Sequence, residues 1–166
     1  MSEKAYTQEA VATYFREFLQ AQGLRQTRER FAILRAAYEF EGTFTFDALQ
    51  QTLLDHKFRV STATLYNTTQ LLVQANLLIR HPFSSSNAVF ERISDSHPKS
   101  YQICNNCHRI TRIKSKDLAA AVESYHPRRF GVSHRIVYVY GTCPKCEAAR
   151  KKALKQTQNR IEHETR

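Results

Sequence analysis

Two Cys-x-x-Cys pairs, Cys104-Asn-Asn-Cys107 and Cys143-Pro-Lys-Cys146, hold all four cysteines of the chain and stand 35 residues apart. Two residues between thiolates let both sulfurs of a tight turn face one ion at about 2.3 Å, and a second such turn completes a closed tetrahedral shell. Four thiolates in that geometry point to structural zinc, so any fold must bring the two turns to one place. A closed shell keeps no position for water, so it braces the chain and does not hydrolyse anything. The same sulfurs have two competing uses. One is a redox disulfide switch. The other is haem, because Cys143-Pro144 is a Cys-Pro context for thiolate ligation, although zinc already claims that sulfur.

The chain has 166 residues, 42% of them hydrophobic, enough for one ordinary domain or two small ones. No run of about eighteen apolar residues exists, and the N-terminus carries acids and glutamine where a signal peptide needs an apolar stretch. A cytoplasmic location with no membrane partner is expected, where reduced thiols favour metal over disulfides. The net charge of +10 calls for an anionic partner. Its distribution is lopsided: residues 1–96 hold 10 basic against 10 acidic side chains, and residues 97–166 hold 15 against 5. That excess is either a solvated surface or, in part, a set of phosphate contacts.

Apolar residues at steps of three and four predict a helix over 8–22, with Val11, Tyr14, Phe15, Phe18 and Leu19 on one stripe and Gly23 ending it. Thr27 caps a second helix containing Phe31, Leu34, Ala37 and Tyr38, which Gly42 breaks. Thr45 opens a third to about His56, with Phe46, Leu49, Leu53 and Leu54 inward. Ser61 or Thr62 caps a fourth, with Leu65, Thr69, Leu72 and Val73 inward up to Asn76. Four helices are thus expected before any strand. The period then becomes two, and 77–81 with 88–93 around Phe83-Ser-Ser-Ser-Asn87 reads as a β-hairpin. A helix-turn-helix followed directly by a hairpin is a winged helix, whose second helix enters the major groove. The expected fold is α+β: a winged-helix domain over 1–94, a linker over 95–100, a small α/β dimerisation domain over 101–148 and a basic tail over 149–166. Within the second domain, 101–103 and 110–113 read as strands, 115–125 as a helix with Leu118, Ala121, Val122 and Tyr125 on one face, and 132–140 as a strand. The tail reads as a solvated helix that frays.

Several motifs then resemble the ferric uptake regulator family, in family order, over nearly all of residues 23–146. They are Gly23-Leu-Arg-x-Thr-x-x-Arg30, Thr62-Ala-Thr-Leu-Tyr66, Val89-Phe-Glu91, Ile103-Cys-x-x-Cys107 and Tyr138-Val-Tyr-Gly-Thr-Cys-x-x-Cys146. The resemblance implies a homodimeric, metal-dependent repressor of iron, other metal, haem or oxidative-stress genes that binds AT-rich palindromic duplex DNA, and not an enzyme. By position, Arg25 resembles the residue that enters the minor groove, Tyr66 the aromatic that meets a thymine methyl, and Thr62 and Thr64 contacts at the helix N-terminus. Thr27 and Arg30 belong to the same DNA-binding set. Arginine suits the narrow minor groove of A-tracts, and hydroxyls at a helix N-terminus suit phosphate. A core aromatic is the competing reading for Tyr66. Asn67 stands where family members often have arginine and can read adenine through two hydrogen bonds.

The regulatory metal site implied by the family falls on Thr43, Glu91, Lys99 with Tyr101, and Arg112, where only the glutamate is a suitable ligand. Two cationic side chains at these positions oppose a divalent ion. Glu91, His97, His126 and His134 remain as an altered sensing set for Fe2+, Mn2+, Zn2+ or haem. Surface or hydrogen-bonded histidines are the competing reading.

Overall fold

The computed structural model describes residues 8–82, 88–93 and 98–164, with side chains to residue 156. The chain divides into two compact units between Ser96 and His97.

The first unit runs α1 (Gln8–Ala21), α2 (Arg28–Glu39), β1 (Thr43–Thr45), α3 (Phe46–Asp55), α4 (Thr62–Gln74), β2 (Leu78–His81) and β3 (Val89–Arg92). Val11, Phe15 and Leu19 recur every four residues and form the buried stripe of α1. Tyr14 lies outside that stripe at 46% exposure, and Leu54 of α3 is also exposed, against expectation.

Three helices stop in the same way. After α1, Gly23 at φ 64° donates to Gln20 O and Leu24 donates to Leu19 O. Lys57 and Phe58 repeat this after α3, and Asn76 and Leu77 after α4. This paired-bond ending satisfies carbonyls that the helix leaves open, and it needs a left-handed residue. Gly23 and Asn76 signal it; Lys57 does not, because lysine has no special tolerance for that conformation. The starts are capped by Thr27, Thr45 and Ser61, each accepting from a backbone N–H three residues on.

One strand interrupts the expected run of four helices. β1 pairs antiparallel with β3, Thr43 opposite Glu91 and Thr45 opposite Val89, giving a three-stranded wing of order β1-β3-β2. Thr-Phe-Thr is too short to show a period of two. Its burial does the work: Phe44 is 3% exposed, and its ring lies 4.5 Å from that of Phe40 and 6.1 Å from that of Phe90. Helix faces and wing close on one core that includes Phe15, Leu49, Leu65, Leu72 and Phe90. Tyr38 Oη donates to Leu77 O at 3.2 Å, which ties α2 to the junction between α4 and β2. The expected turn at 83–87 lies outside the described residues.

The second unit runs β4 (Lys99–Cys104), β5 (Ile110–Arg112), α5 (Lys116–Ser124), β6 (Ile136–Gly141) and α6 (Pro144–Glu164). β4 and β5 form an antiparallel hairpin, and α5 carries the chain across to β6, which pairs parallel with β4. Three boundaries differ from the sequence reading. Lys99 and Ser100 are buried in β4, so the strand takes the end of the expected linker. β6 begins at Ile136 rather than 132. α6 starts at Pro144, a residue preset for a first helical turn, so it takes in Cys146 and crosses the expected boundary at 148. α5 buries no residue fully, and Tyr125 is 68% exposed. Among the described residues no helix is long and apolar enough to cross a membrane.

Candidate metal centre and nucleic-acid interface

Topology brings the four cysteines together. Cys104 ends β4 opposite Gly141 of its parallel neighbour β6, so both strands finish at the same edge, and Cys143 follows two residues later. Asn105 N donates to Gly141 O at 2.8 Å, and Cys143 N donates to Cys104 Sγ at 3.3 Å, which locks one turn onto the other. Cys107 reaches the group through a tight turn closed by His108 N to Cys104 O, with His108 at φ 55°. Cys146 enters from the first turn of α6. All four sulfurs lie within 4.8 Å of one another, and Cys107 Sγ stands 3.7 Å from Cys143 Sγ. Metal–sulfur bonds of about 2.3 Å in a tetrahedron place their sulfurs about 3.8 Å apart. A disulfide needs about 2.05 Å, and all four cysteines are free. The cluster therefore fits a tetrahedral metal ion.

The thiols are unequal. Backbone N–H groups of Cys107 and then Cys143 hold the Cys104 thiol down to about 6, and the N–H of Cys146 lowers that of Cys143. Hydrogen bonding to the sulfurs of Cys143 and then Cys107 favours the protonated thiol of Cys146, which is pushed up to about 12. Thiolates crowded at this distance resist a further negative charge unless a cation joins them.

The second candidate surface lies on α4. Ser61 Oγ caps the helix by accepting from Thr64 N at 3.1 Å and also meets Thr64 Oγ1 at 2.9 Å, so the Thr64 hydroxyl is tied into the cap. Leu65, Thr68, Thr69 and Leu72 point into the core, which turns Thr62, Tyr66 and Asn67 outward. Tyr66 is 53% exposed, its ring 6.5 Å from that of Phe46, so it is not a core aromatic. At the start of α2, Arg25 is exposed, and the Arg30 guanidinium donates to Arg25 O, fixing the loop that presents it. Thr27 caps α2 through Arg30 N. Thr27 and Arg30 thus shape the Arg25 loop.

The profile of the Ferric uptake regulator family matches residues 21–140. The chain belongs to that family. Among curated relatives, a Ferric uptake regulation protein of Campylobacter jejuni is 25% identical over 137 residues, covering 80% of this chain and 85% of the relative. The Peroxide operon regulator of Bacillus subtilis is 27% identical over 131 residues, covering 78% and 89%. Among solved structures, the Helicobacter pylori ferric uptake regulator superposes with a TM-score of 0.64 at 17% identity, over 89% of this chain and 97% of that one. That of Pseudomonas aeruginosa with manganese gives 0.60 at 23%, over 76% and 95%. Members of the Ferric uptake regulator family are DNA-binding transcriptional regulators, and this chain is one, not an enzyme.

The positions of the regulatory metal site implied by the family carry a different chemistry. Glu91 on β3 is 1% exposed and bonds His81 Nε2 at 3.1 Å, inside the wing sheet. Thr43 lies directly opposite on β1. Lys99 and Tyr101 are buried on β4, Tyr101 stacks on Tyr138, and Arg112 faces Tyr101 in the β4–β5 register. Taken one by one, Glu91 is already paired with an imidazole in the first unit, and Lys99 and Arg112 in the second are cationic, so these residue types are poor ligands for a divalent ion. Of the alternative sensing set, His126 Nδ1 bonds Ser124 O and His134 Nδ1 bonds Ser133 Oγ, both at the surface of the second unit. His97 lies outside the described residues. Among the described residues, the four cysteines are the group of three or more His, Cys, Asp or Glu side chains that could hold an ion. Sequence reasoning missed His81. Its signal was the alternation of β2, which places it on the buried face two positions after Ile79.

Proposed function

We propose that this Ferric uptake regulator family member is a homodimeric repressor of metal or oxidative-stress genes that reads AT-rich, two-fold duplex sites, with a structural zinc ion held by Cys104, Cys107, Cys143 and Cys146. The observation that carries the reading is the outward face of α4. Thr62, Tyr66 and Asn67 project from a helix whose opposite side is locked into the core, the arrangement a major-groove reading head requires. Tyr66 offers an apolar face to a thymine methyl, Asn67 offers a donor and an acceptor to adenine, and Thr62 offers a hydroxyl to phosphate. Arg25 enters the adjoining minor groove. Zinc suits the four-thiolate set because it is tetrahedral, redox-inert and content with sulfur alone.

A second copy suits the exposed apolar surface of the second unit. Tyr125, Phe130, Val139 and Tyr140 are each at least 48% exposed, and β6 has one described neighbour in its sheet. Two chains related by a two-fold axis place two α4 helices in successive major grooves of a pseudo-palindrome. No second regulatory ion enters the proposal, since Lys99 and Arg112 stand at its implied positions.

The test is a shift assay on AT-rich palindromes with Arg25→Ala and Tyr66→Ala. Each is expected to weaken binding at least tenfold. Unchanged binding in both removes the winged helix from the account.

A further inference from the structure

α6 spans 21 residues, about 30 Å at 1.5 Å per residue. The family profile ends at residue 140 and the cysteine motif that resembles the family at Cys146, so most of α6 lies beyond both. Its root is fixed to the cysteine cluster, with Cys146 in the first turn and Glu147 N donating to Cys143 O at 2.9 Å.

Beyond that root its composition is one-sided. From Ala148 to Ile161 there is no acidic residue, while Arg150, Lys151, Lys152, Lys155 and Arg160 carry positive charge. Every side chain described from Ala148 to Gln156 is exposed, and Leu154, at 59%, is the one large apolar residue among them. With no apolar stripe, this stretch has nothing to lay against a protein core. Glu147 takes up Arg150 at 3.0 Å and Lys151 at 3.9 Å. Lys151 and Lys155 are like charges four apart, and Lys152 and Lys155 three apart, spacings at which repulsion disfavours a helix. A neighbouring polyanion converts that repulsion into attraction.

The rest of the chain leaves room for such a role. Residues 1–96, which hold the base-reading helix, carry 10 basic and 10 acidic side chains, and residues 97–143 carry 8 basic and 2 acidic, so the net attraction to DNA comes from the second unit, in which α6 holds the densest basic run. Phosphate neutralisation supplies essentially all sequence-independent affinity in protein–DNA complexes. We propose that α6 is a second nucleic-acid-binding element, which sets Arg150, Lys151, Lys152 and Lys155 against the sugar–phosphate backbone of duplex DNA. It reads no sequence and holds the regulator near DNA while α4 selects the site. The inference rests on the chain binding duplex DNA.

The experiment uses the full-length, zinc-loaded chain and a duplex of arbitrary sequence, with affinity measured across a series of salt concentrations. The triple variant Lys151→Gln/Lys152→Gln/Lys155→Gln keeps good helix formers and removes three charges. The slope of log affinity against log salt is expected to fall by about 0.9 for each phosphate no longer neutralised, up to about 2.7 for each chain of the bound dimer. The matching lysine-to-arginine triple variant is expected to keep the original slope. An unchanged slope in the glutamine variant, with zinc content and helicity preserved, overturns the proposal. Should that variant lose zinc or helix, Lys152→Gln alone decides, with an expected fall of about 0.9 for each chain. Tyr66→Ala on the same duplex separates the two DNA readings. It is expected to leave this slope intact and, on an AT-rich palindrome measured alongside, to lose the preference over the arbitrary duplex; an α6 effect beside a Tyr66→Ala that keeps that preference leaves α6 standing and removes the reading head.

Discussion

Replacing Cys104 with serine removes one thiolate from the proposed zinc shell, and the second unit has little else to hold it folded. Among the described residues, the first unit buries a large apolar set centred on Phe15, Leu49, Leu65, Leu72 and Phe90, whereas the second buries Tyr101, Ile103 and Cys104. α5 buries nothing fully, and α6 is solvated. Structural zinc in small domains contributes about 10–16 kcal/mol at pH 7, comparable to or larger than the whole stability of an ordinary domain at about 5–15 kcal/mol. Cys104→Ser is therefore expected to lose zinc and unfold residues 98–156, while the first unit stays folded on its own core. Hydrogen exchange with mass spectrometry reads this directly. Amides of β4 and β6 should exchange at unfolded rates, and those of α1, α2 and α4 should keep their protection. Metal analysis should show less than one zinc per chain. Retained protection in β4 and β6 of a zinc-free Cys104→Ser chain would refute the reasoning.

Zinc loading of the reduced, metal-free protein is expected to release protons at pH 7. In the metal-free chain, whose second unit is expected to be unfolded, the four thiols carry the ordinary cysteine pKa of about 8.5 and are mostly protonated, so they must lose protons to bind and affinity rises with pH. Calorimetry in two buffers of different ionisation heat measures this, and a titration heat independent of buffer contradicts it. Asn67→Ala should cost about 1–3 kcal/mol of discrimination at one base position and leave the other positions unchanged, as read by competition with single-base variants of a selected site. Breaking the buried His81–Glu91 hydrogen bond with Glu91→Ala should destabilise the first unit by about 1–3 kcal/mol in urea unfolding, because it takes the carboxylate away from an imidazole at a position with 0% side-chain exposure. A change under 1 kcal/mol would mean that the pair has no structural role.

Much of this molecule was legible because its signals are local. Each Cys-x-x-Cys pair marks its own two-thiol turn, helical stripes such as Val11, Phe15 and Leu19 fix their own faces, and Thr27, Thr45 and Ser61 mark their own helix starts. The failures are positions decided by neighbours distant in sequence. β1 is a strand because β3 offers it a partner and Phe40 and Phe90 receive Phe44, and nothing within Thr-Phe-Thr carries that information. Lys99 and Ser100 read as linker because they are polar, yet pairing with β6 buries them. The family resemblance assigns the Glu91 carboxylate to a metal. The partner it has, His81, comes from the adjacent strand, and the side of the sheet it occupies depends on register.

In the proposed function, α4 reads duplex DNA in a sequence-dependent way while the cysteine cluster holds zinc. The most direct measurement is selection of bound duplexes from a randomised pool by the zinc-loaded chain, repeated with a Tyr66→Ala/Asn67→Ala variant. Enrichment of two AT-rich half-sites in inverted orientation, about one helical turn apart, with that enrichment lost in the variant, is the predicted result. A pool that stays random, or that gives the same motif with both side chains gone, would contradict the account.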